Sequence, residues 1–115
     1  MISGLDLSAT VDYTLKSDTE NPTVFKLGVM PSYLMARISS GDGDAMEKAY
    51  SFLQLSLKGW ENFDIPFETV KQKFFGREVD AVPLNLLERL PINVISELSS
   101  KVVEINKLTG QEIKN

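Results

Sequence analysis

A stripe of apolar side chains recurs every three or four residues through positions 44–63, and it constrains the fold more than any other feature. Its members are Met46, Ala49, Tyr50, Leu53, Leu57 and Trp60. Apolar residues at this spacing lie on one face of an α-helix and bury that face against other elements. Asp44, followed by Glu47, is typical of a capping box, which pairs backbone and side chains at the start of a helix. We therefore predict a central helix over 44–63, with Leu53 in the core.

The opposite side of this helix is polar, and we expect it to face water. It carries Glu47, Lys48, Gln54 and Lys58. Phe52 and Phe63 lie outside the stripe and widen the apolar surface. Gly59 and then Asn62 weaken the far end of the helix, because both residue types have poor helix propensity. The rest of the chain is expected to supply the surfaces that cover the stripe.

The size and composition of the chain predict one small domain. Its 115 residues suffice for a single core and are too few for two. Hydrophobic residues make up 43% and charged residues 24% of the chain, which is ordinary for a globular protein. The longest apolar runs are a few residues, and the start lacks a basic region before an apolar stretch, so we expect neither a membrane span nor a secretory signal. We predict an α+β domain at 23–115, preceded by an extended arm at 1–22.

The residue types that are missing restrict the chemistry. The chain contains no cysteine and no histidine, so thiol nucleophiles, disulfides, the commonest general base and the usual zinc ligands are excluded. Catalysis would need carboxylates with lysine or tyrosine, in a pocket that gathers two carboxylates and a lysine of perturbed pKa. The net charge is −4 with scattered lysine and arginine, whereas nucleic-acid surfaces need clustered positive charge. We therefore expect no enzyme activity, no cofactor and no nucleic-acid partner.

The acidic loop at 39–44, SSGDGD, invites a metal interpretation. Asp42, Asp44 and Glu47 could offer oxygen ligands to calcium. Their spacing does not match an EF-hand loop, which needs more alternating oxygen donors and a terminal glutamate. Glycines let the chain turn here, and acidic residues are favourable near the positive N-terminal end of the next helix. We therefore predict no metal site.

The N-terminal arm has two interpretations that stay open. Turn-forming residues dominate from Ser17 to Asn21, and Pro22 closes this stretch. Spacings of two and four between apolar residues such as Val11, Tyr13 and Leu15 would let part of the arm run as a strand. The arm could fold back on its own domain, or it could reach a neighbouring subunit, because exposed termini are often mobile.

The first strand and a short helix are predicted directly after the arm. Residues 23–29, TVFKLGV, alternate β-branched and aromatic residues with others in the manner of a half-buried strand. Pro31 can begin a helix. We expect this helix to direct Tyr33, Leu34 and Ile38 inward.

Residues 68–82 predict a β-hairpin. The runs 68–75 and 78–82 flank Gly76-Arg77, and a two-residue loop with glycine first suits a type II′ turn. Val70, Gln72 and Phe74 would share one face. A helix through 69–75 is the competing interpretation, because this stretch lacks a strong helix breaker.

The C-terminal part of the chain is predicted to be helical. Pro83 can begin a short helix over 84–90, and a long helix is expected over 92–108 before the stop signal Gly110. The apolar positions of the long helix are Ile95, Leu98, Val102 and Ile105, with Val94 and Val103 flanking them.

Large aromatic residues concentrate in the middle of the sequence. They are Trp60, Phe63, Phe67, Phe74 and Phe75. Core packing is one interpretation, because a small domain needs most of its large apolar residues inside. The other is that part of this set forms a patch or groove for a partner helix. Phe74 and Phe75 support the second hypothesis best, since neighbours in a strand point to opposite faces. We take all five as candidate protein-binding residues.

Three stretches of the chain, in order, resemble segments of the small tail assembly chaperones of tailed bacteriophages and related phage morphogenesis proteins. They are TVFKLG leading into a short helix, LKGWENF at 57–63 followed by IPF at 65–67, and LERLPINVISELSSKVVEIN trailing into LTGQEIKN. In that family a Trp-containing helix end is commonly followed by a short polar turn, an extended piece and a closing helix. This chain departs from the pattern because only Asp64 separates Phe63 from Ile65, and because a hairpin is inserted at 68–82.

The resemblance implies a cytoplasmic protein, made during infection or from a prophage, without catalytic residues. It would bind the long helical tape-measure protein and keep it soluble until tail-tube subunits polymerise around it. The alternative is a structural virion subunit at the head or the head-to-tail junction. A homo-oligomer is compatible with either role.

Overall fold

The computed structural model describes the backbone of residues 4–114 and the side chains of residues 4–107. Its elements, in chain order, are β1 (Thr10–Tyr13), β2 (Val24–Gly28), α1 (Ser32–Ser40), α2 (Ala45–Ser56), β3 (Leu57–Glu61), β4 (Val70–Phe74), β5 (Arg77–Ala81), α3 (Leu84–Leu87) and α4 (Ile92–Lys114). Over this part of the chain they form an α+β fold with two antiparallel sheets, which confirms the predicted class. Within the same range, no helix is both long enough and apolar enough to cross a membrane.

Strand β2 is the centre of a three-stranded sheet with the order β1-β2-β3. It confirms the strand predicted for 23–29, and it ends at Gly28. Phe25 of β2 is buried and lies opposite Tyr13 of β1 on one side and Trp60 of β3 on the other. The core lies where helices α2 and α4 pack against each other and cover this sheet.

Helix α2 is shorter than predicted, because residues 57–61 form strand β3. Leu57 already has extended backbone angles, with φ −81° and ψ 115°. Pairing with β2 supplies hydrogen-bond partners for the backbone of this stretch, so no helix is needed to satisfy it. Tryptophan is an aromatic residue of the kind enriched in strands, and Gly59 has a low helix propensity, so both residues favour a strand over a helix here. Tertiary pairing therefore overrides the helical spacing of the last two stripe residues.

The start and the centre of α2 agree with the sequence prediction. The Asp44 carboxylate accepts a hydrogen bond from the Glu47 backbone N–H at 2.9 Å, and Glu47 Oε1 accepts one from the Asp44 N–H at 3.2 Å. This reciprocal pair is the predicted capping box. Leu53 is fully buried, with 0% exposure.

Gln54 is buried, which contradicts the expectation that it faces water. Its Nε2 donates to the carbonyl oxygen of Val82 at 2.9 Å and to Oε1 of Gln72 at 3.3 Å. The Val82 N–H donates back to the carbonyl oxygen of Gln54 at 2.9 Å. The hairpin therefore covers this side of α2, and the glutamine amide satisfies backbone groups at that contact.

The predicted hairpin exists, but its turn lies one residue earlier than expected. Strands β4 and β5 pair from Val70↔Ala81 to Phe74↔Arg77, so Phe75 and Gly76 form the loop. Their φ angles are +52° and +83°. Positive φ at both loop positions defines a type I′ turn rather than type II′. The helix considered for 69–75 is not formed.

Helix α1 follows Pro31 as predicted, with Leu34 and Ile38 buried. Tyr33 contradicts the expectation that it points inward, because its side chain is 45% exposed. One face of a helix contains residues that are three or four positions apart. Leu34 and Ile38 are four apart and occupy the buried face of α1. Tyr33 lies beside that face.

The long C-terminal helix α4 is confirmed and extends past its predicted end. Ile95, Leu98 and Val102 are fully buried. The helix continues to Lys114, so the predicted stop at Gly110 is wrong. A glycine lowers helix propensity by only about 1 kcal/mol, which the rest of a long helix can offset.

The part of the N-terminal arm at 10–13 folds back on its own domain, as strand β1. It pairs with β2 over all four positions. The Tyr13 hydroxyl and the Lys16 backbone N–H both donate to Oε2 of Glu97 on α4, at 2.6 and 3.0 Å. The expected strand character of the arm is therefore confirmed for this segment.

Candidate protein-binding site

The five aromatic residues singled out from the sequence occupy two separate places. Trp60, Phe63 and Phe67 gather beside the three-stranded sheet, where they contact Phe25 or each other. The ring centroid of Trp60 lies 5.0 Å from those of Phe63 and Phe67, both in edge-to-face geometry. Such geometry is favourable beyond the area that the rings bury. All three rings are half-buried and pack on the core.

This inner aromatic group holds the segment after β3 in place. The Trp60 indole N–H donates to the carbonyl oxygen of Ile65 at 2.6 Å. The segment 62–66 is thereby tied to the sheet without regular secondary structure of its own. Much of the surface of these rings is already engaged within the domain, so their role in binding a partner stays a prediction.

Phe74 and Phe75 differ sharply in exposure. Phe74, the last residue of β4, is half-buried and packs against the core. Phe75 occupies the turn and is 44% exposed. The sequence predicts that one of these two rings points outward and the other inward, and the structure has this arrangement for a different reason. Phe75 faces outward because it stands in the loop with positive φ, rather than because of strand alternation.

Phe75 belongs to a surface group that we call the arginine–aromatic cluster. Its members are Tyr33, Arg37, Phe75 and Arg77. The guanidinium carbon of Arg37 lies 5.0 Å from the Phe75 ring centroid and 6.0 Å from that of Tyr33. The guanidinium carbon of Arg77 lies 4.8 Å from the Tyr33 ring centroid. At these distances the cations are attracted by the electron-rich ring faces. The four side chains therefore form one connected surface.

Two elements position this cluster. Tyr33 and Arg37 are four residues apart on α1, so they lie on the same side of that helix. Phe75 and Arg77 flank Gly76 at the tip of the hairpin. The tip comes next to α1, which brings together residues about 40 positions apart in sequence. The sequence analysis does not include Arg37 or Arg77 among the candidate binding residues, and it expects Tyr33 to be buried. The spacing of Tyr33 and Arg37 was the only local signal.

A shallow groove of about 250 Å³ adjoins the cluster. Its lining residues include Arg37 and Phe75 from the cluster, together with Ile38, Gly41, Lys48 and Ser51. The groove therefore combines apolar and polar surface beside an exposed ring. Exposed aromatic and arginine side chains beside such a groove are typical of protein-binding surfaces.

A second cavity, of about 290 Å³, meets the condition that we set for an enzyme. It is lined by Lys58, Glu78 and Asp80 among other residues. Partial burial lowers the pKa of Lys58, an effect that the negative charge of Asp80 opposes. However, the Lys58 ammonium donates to the carbonyl oxygen of Leu55 at 2.8 Å, and Asp80 forms an ion pair with Lys71 at 2.8 Å. Two of the three groups therefore have partners within the protein, and the absence of enzyme activity stays a prediction.

The part of the chain that the structure describes contains no candidate metal centre. Within it, no group of three or more carboxylates is arranged to hold an ion. Asp44 and Glu47, two of the acids of the 39–47 region, are engaged in the capping box.

Comparison of the chain with known protein families, with curated proteins and with solved structures finds no match. The resemblance to tail assembly chaperones accordingly depends on the three sequence stretches quoted above. Those stretches fold as β2 with α1, as β3 with the segment at 65–67, and as the turn after α3 with α4. Trp60 therefore lies in a strand, whereas the family pattern places a tryptophan at a helix end.

Proposed function

We propose that this chain is a non-enzymatic morphogenesis protein of a tailed phage, which binds other phage proteins through apolar surface. Specifically, it acts as a tail assembly chaperone for the tape-measure protein, in the host cytoplasm during assembly. The three-stretch resemblance supports the phage assignment. The arginine–aromatic cluster supports the binding role.

One observation carries the proposal, namely the bulky apolar residue at φ +52° in the exposed turn, Phe75. A left-handed conformation costs a residue other than glycine roughly 1–2 kcal/mol. Type I′ turns strongly prefer asparagine, aspartate or glycine at this position. Phenylalanine is therefore unfavourable in this turn, and its ring is only partly buried. A strained residue of this kind points to a functional role.

The cluster would bind a partner by the mode in which a few aromatic and arginine side chains supply most of the binding energy. The ring of Phe75 is the apolar contact, and Tyr33 extends the same surface. The groove beside Phe75 offers a place for side chains of a partner helix, which presents apolar residues every three or four positions.

The test is co-expression with the tape-measure protein encoded in the same phage or prophage. We expect the wild-type chain to keep that protein in the soluble fraction and to co-purify with it. Phe75→Ala should weaken the association at least ~30-fold without lowering the melting temperature, because an aromatic anchor is commonly worth 2 kcal/mol or more. Phe74→Ala should mainly destabilise the fold. Leu84→Ala is the matched control, since Leu84 is exposed to a similar degree, 48% against 44% for Phe75, and lies outside the cluster.

Two results would refute the proposal. The first is that the wild-type chain neither keeps the tape-measure protein in the soluble fraction nor co-purifies with it, whereas equal association of Phe75→Ala and Leu84→Ala would show only that Phe75 is not the contact. The second is stoichiometric presence of the chain in purified virions, measured by mass spectrometry. That result would favour the structural subunit at the head or head-to-tail junction, because a chaperone leaves before the particle is complete.

A further inference from the structure

Arg37 and Arg77 lie over aromatic rings but have no carboxylate partner among the described residues. We infer that these two guanidinium groups recognise carboxylate side chains of a partner protein, next to an apolar residue that contacts Phe75. This inference rests on the proposed protein-binding function of the same surface. It adds the chemistry of the partner segment, which is acidic and apolar.

The contacts with the rings leave both arginines able to bind a carboxylate. The attraction between a guanidinium and an aromatic ring does not require a hydrogen bond from the N–H donors, so these donors stay available for acceptors. The long contact of 3.5 Å between Nη1 of Arg37 and the Tyr33 hydroxyl is the one hydrogen bond that either guanidinium makes among the described residues. Two N–H groups on one edge match the two oxygens of a carboxylate. The rings therefore restrict the arginines without using their hydrogen-bonding capacity.

The distribution of charge across the chain favours a partner outside this molecule. The chain has 16 acidic and 12 basic residues, so carboxylates are in excess. The ion pairs of the described residues nevertheless all use lysines, namely Lys26, Lys71 and Lys101. Two of the three arginines of the chain are instead placed together beside an exposed aromatic ring. The third, Arg89, lies in the turn after α3.

Carboxylates separated by apolar residues fit this surface better than a phosphate chain. Asp42 and Glu47 line the groove that adjoins Arg37. A nucleic acid carries a negative charge on every unit, so it would meet those acids as well as the arginines. A protein segment can place a carboxylate at each guanidinium and an apolar side chain between them.

The experiment is a sort of yeast-displayed random peptides against the labelled full-length chain. Four proteins are compared: wild type, Arg37→Gln/Arg77→Gln, Arg89→Gln as the matched control, and Phe75→Ala. Thermal melts of all four establish that they are folded. We expect wild type and Arg89→Gln to enrich peptides in which aspartate or glutamate flanks an apolar residue. The double variant should bind those peptides at least ~10-fold more weakly, and added salt should weaken wild-type binding.

Three results would overturn the inference. One is that the enriched peptides show no excess of aspartate and glutamate over the unsorted library. Another is that Arg89→Gln loses as much binding as the double variant, because general electrostatic attraction would then suffice. The third is that labelled single-stranded DNA, and no acidic peptide, binds wild type and is lost in the double variant.

The inference and the proposed function can fail separately. If Phe75→Ala abolishes association with the tape-measure protein while no acidic peptides are enriched, the proposed function stands and carboxylate recognition is wrong. If acidic peptides bind through the arginines while the wild-type chain does not associate with the tape-measure protein, recognition stands and the proposed function is wrong.

Discussion

The hydroxyl of Tyr13 donates a hydrogen bond of 2.6 Å to Oε2 of Glu97, across 84 positions of sequence. The same carboxylate oxygen accepts the backbone N–H of Lys16 at 3.0 Å. The ammonium of Lys101 lies 5.8 Å from the Tyr13 ring centroid. These contacts fasten strand β1 of the N-terminal arm to helix α4. The arm is therefore held by side chains as well as by the pairing of β1 with β2.

The Tyr13–Glu97 contact predicts a pH-dependent part of the stability. The hydrogen bond to Glu97, burial and the nearby carboxylate charges raise the pKa of Tyr13 from 10.0 to about 12. The contribution of Tyr13 is therefore fully present below pH 10 and is lost as the pH rises towards 12. The same hydrogen bond lowers the pKa of Glu97 below its usual 4.5. The contribution of Glu97 is present above pH 4.5 and is lost as the pH falls through the lowered value.

Tyr13→Phe tests this dependence, because it removes only the hydroxyl. We expect the free energy of unfolding at neutral pH to fall by about 1 kcal/mol, the usual net value of one hydrogen bond. Urea unfolding of both proteins across the pH range should show the difference shrinking in acid and in strong alkali. A difference that is the same at every pH would contradict the assignment.

Ser56→Ala is expected to stabilise the protein. The Ser56 side chain is fully buried, and its hydroxyl has no hydrogen-bond partner. An unsatisfied buried polar group costs about 1–3 kcal/mol, so its removal should raise the free energy of unfolding. Ser99→Ala is the matched control, because buried Ser99 donates to the Ser96 carbonyl oxygen at 3.1 Å. If urea unfolding shows the same change for both variants, Ser56 has a partner after all.

Leu53→Ala should cost about 2–5 kcal/mol, the range for emptying a buried leucine site. Leu53 has 0% exposure at the centre of α2. Exposed Leu84 serves for comparison, and its change to alanine should stay within about 0.5 kcal/mol. The measurement is denaturant unfolding of both variants. A loss under about 1 kcal/mol for Leu53→Ala would mean that α2 does not organise the core.

Phe75→Asn should change stability and binding in opposite directions. Asparagine followed by glycine is the preferred pair for a type I′ turn, so relief of the φ +52° strain should stabilise the fold by about 1 kcal/mol. Loss of the ring should weaken partner binding at the same time. Phe75→Tyr keeps both the ring and the strain, and it should leave melting temperature and association near wild type. A Phe75→Asn variant that is less stable than wild type would show that the ring stabilises the fold.

The sequence predicts those elements whose pattern is local. The capping box of Asp44 and Glu47 depends on a spacing of three residues, and the hairpin depends on alternation within 68–82, so the sequence predicts both. The sequence does not predict the type of turn. Phenylalanine is rare at positive φ, so the pattern favours Gly76-Arg77 as the two loop residues over Phe75-Gly76. The stripe residues Leu57 and Trp60 fit a helix by spacing alone.

What could not be predicted depends on contacts between distant parts of the chain. Residues 57–61 become a strand because β2 is available to pair with them. Gln54 is buried because the hairpin packs over α2 and offers it the Val82 carbonyl. The arginine–aromatic cluster exists because the hairpin tip lies beside α1. Of its members, only Phe75 was chosen from the sequence, since being a large aromatic residue is a local property.

Leu57 takes part in two backbone networks at once. Its N–H closes the last turn of α2 on the Leu53 carbonyl, and the same residue is paired with Leu27 of β2. No linker separates helix from strand, so the end of α2 cannot unwind without disturbing the register of the sheet. Amide hydrogens at the end of α2 and in β2 should therefore exchange with solvent as one cooperative unit. The hairpin tip, whose cation–π contacts are with side chains of α1, is left to open independently.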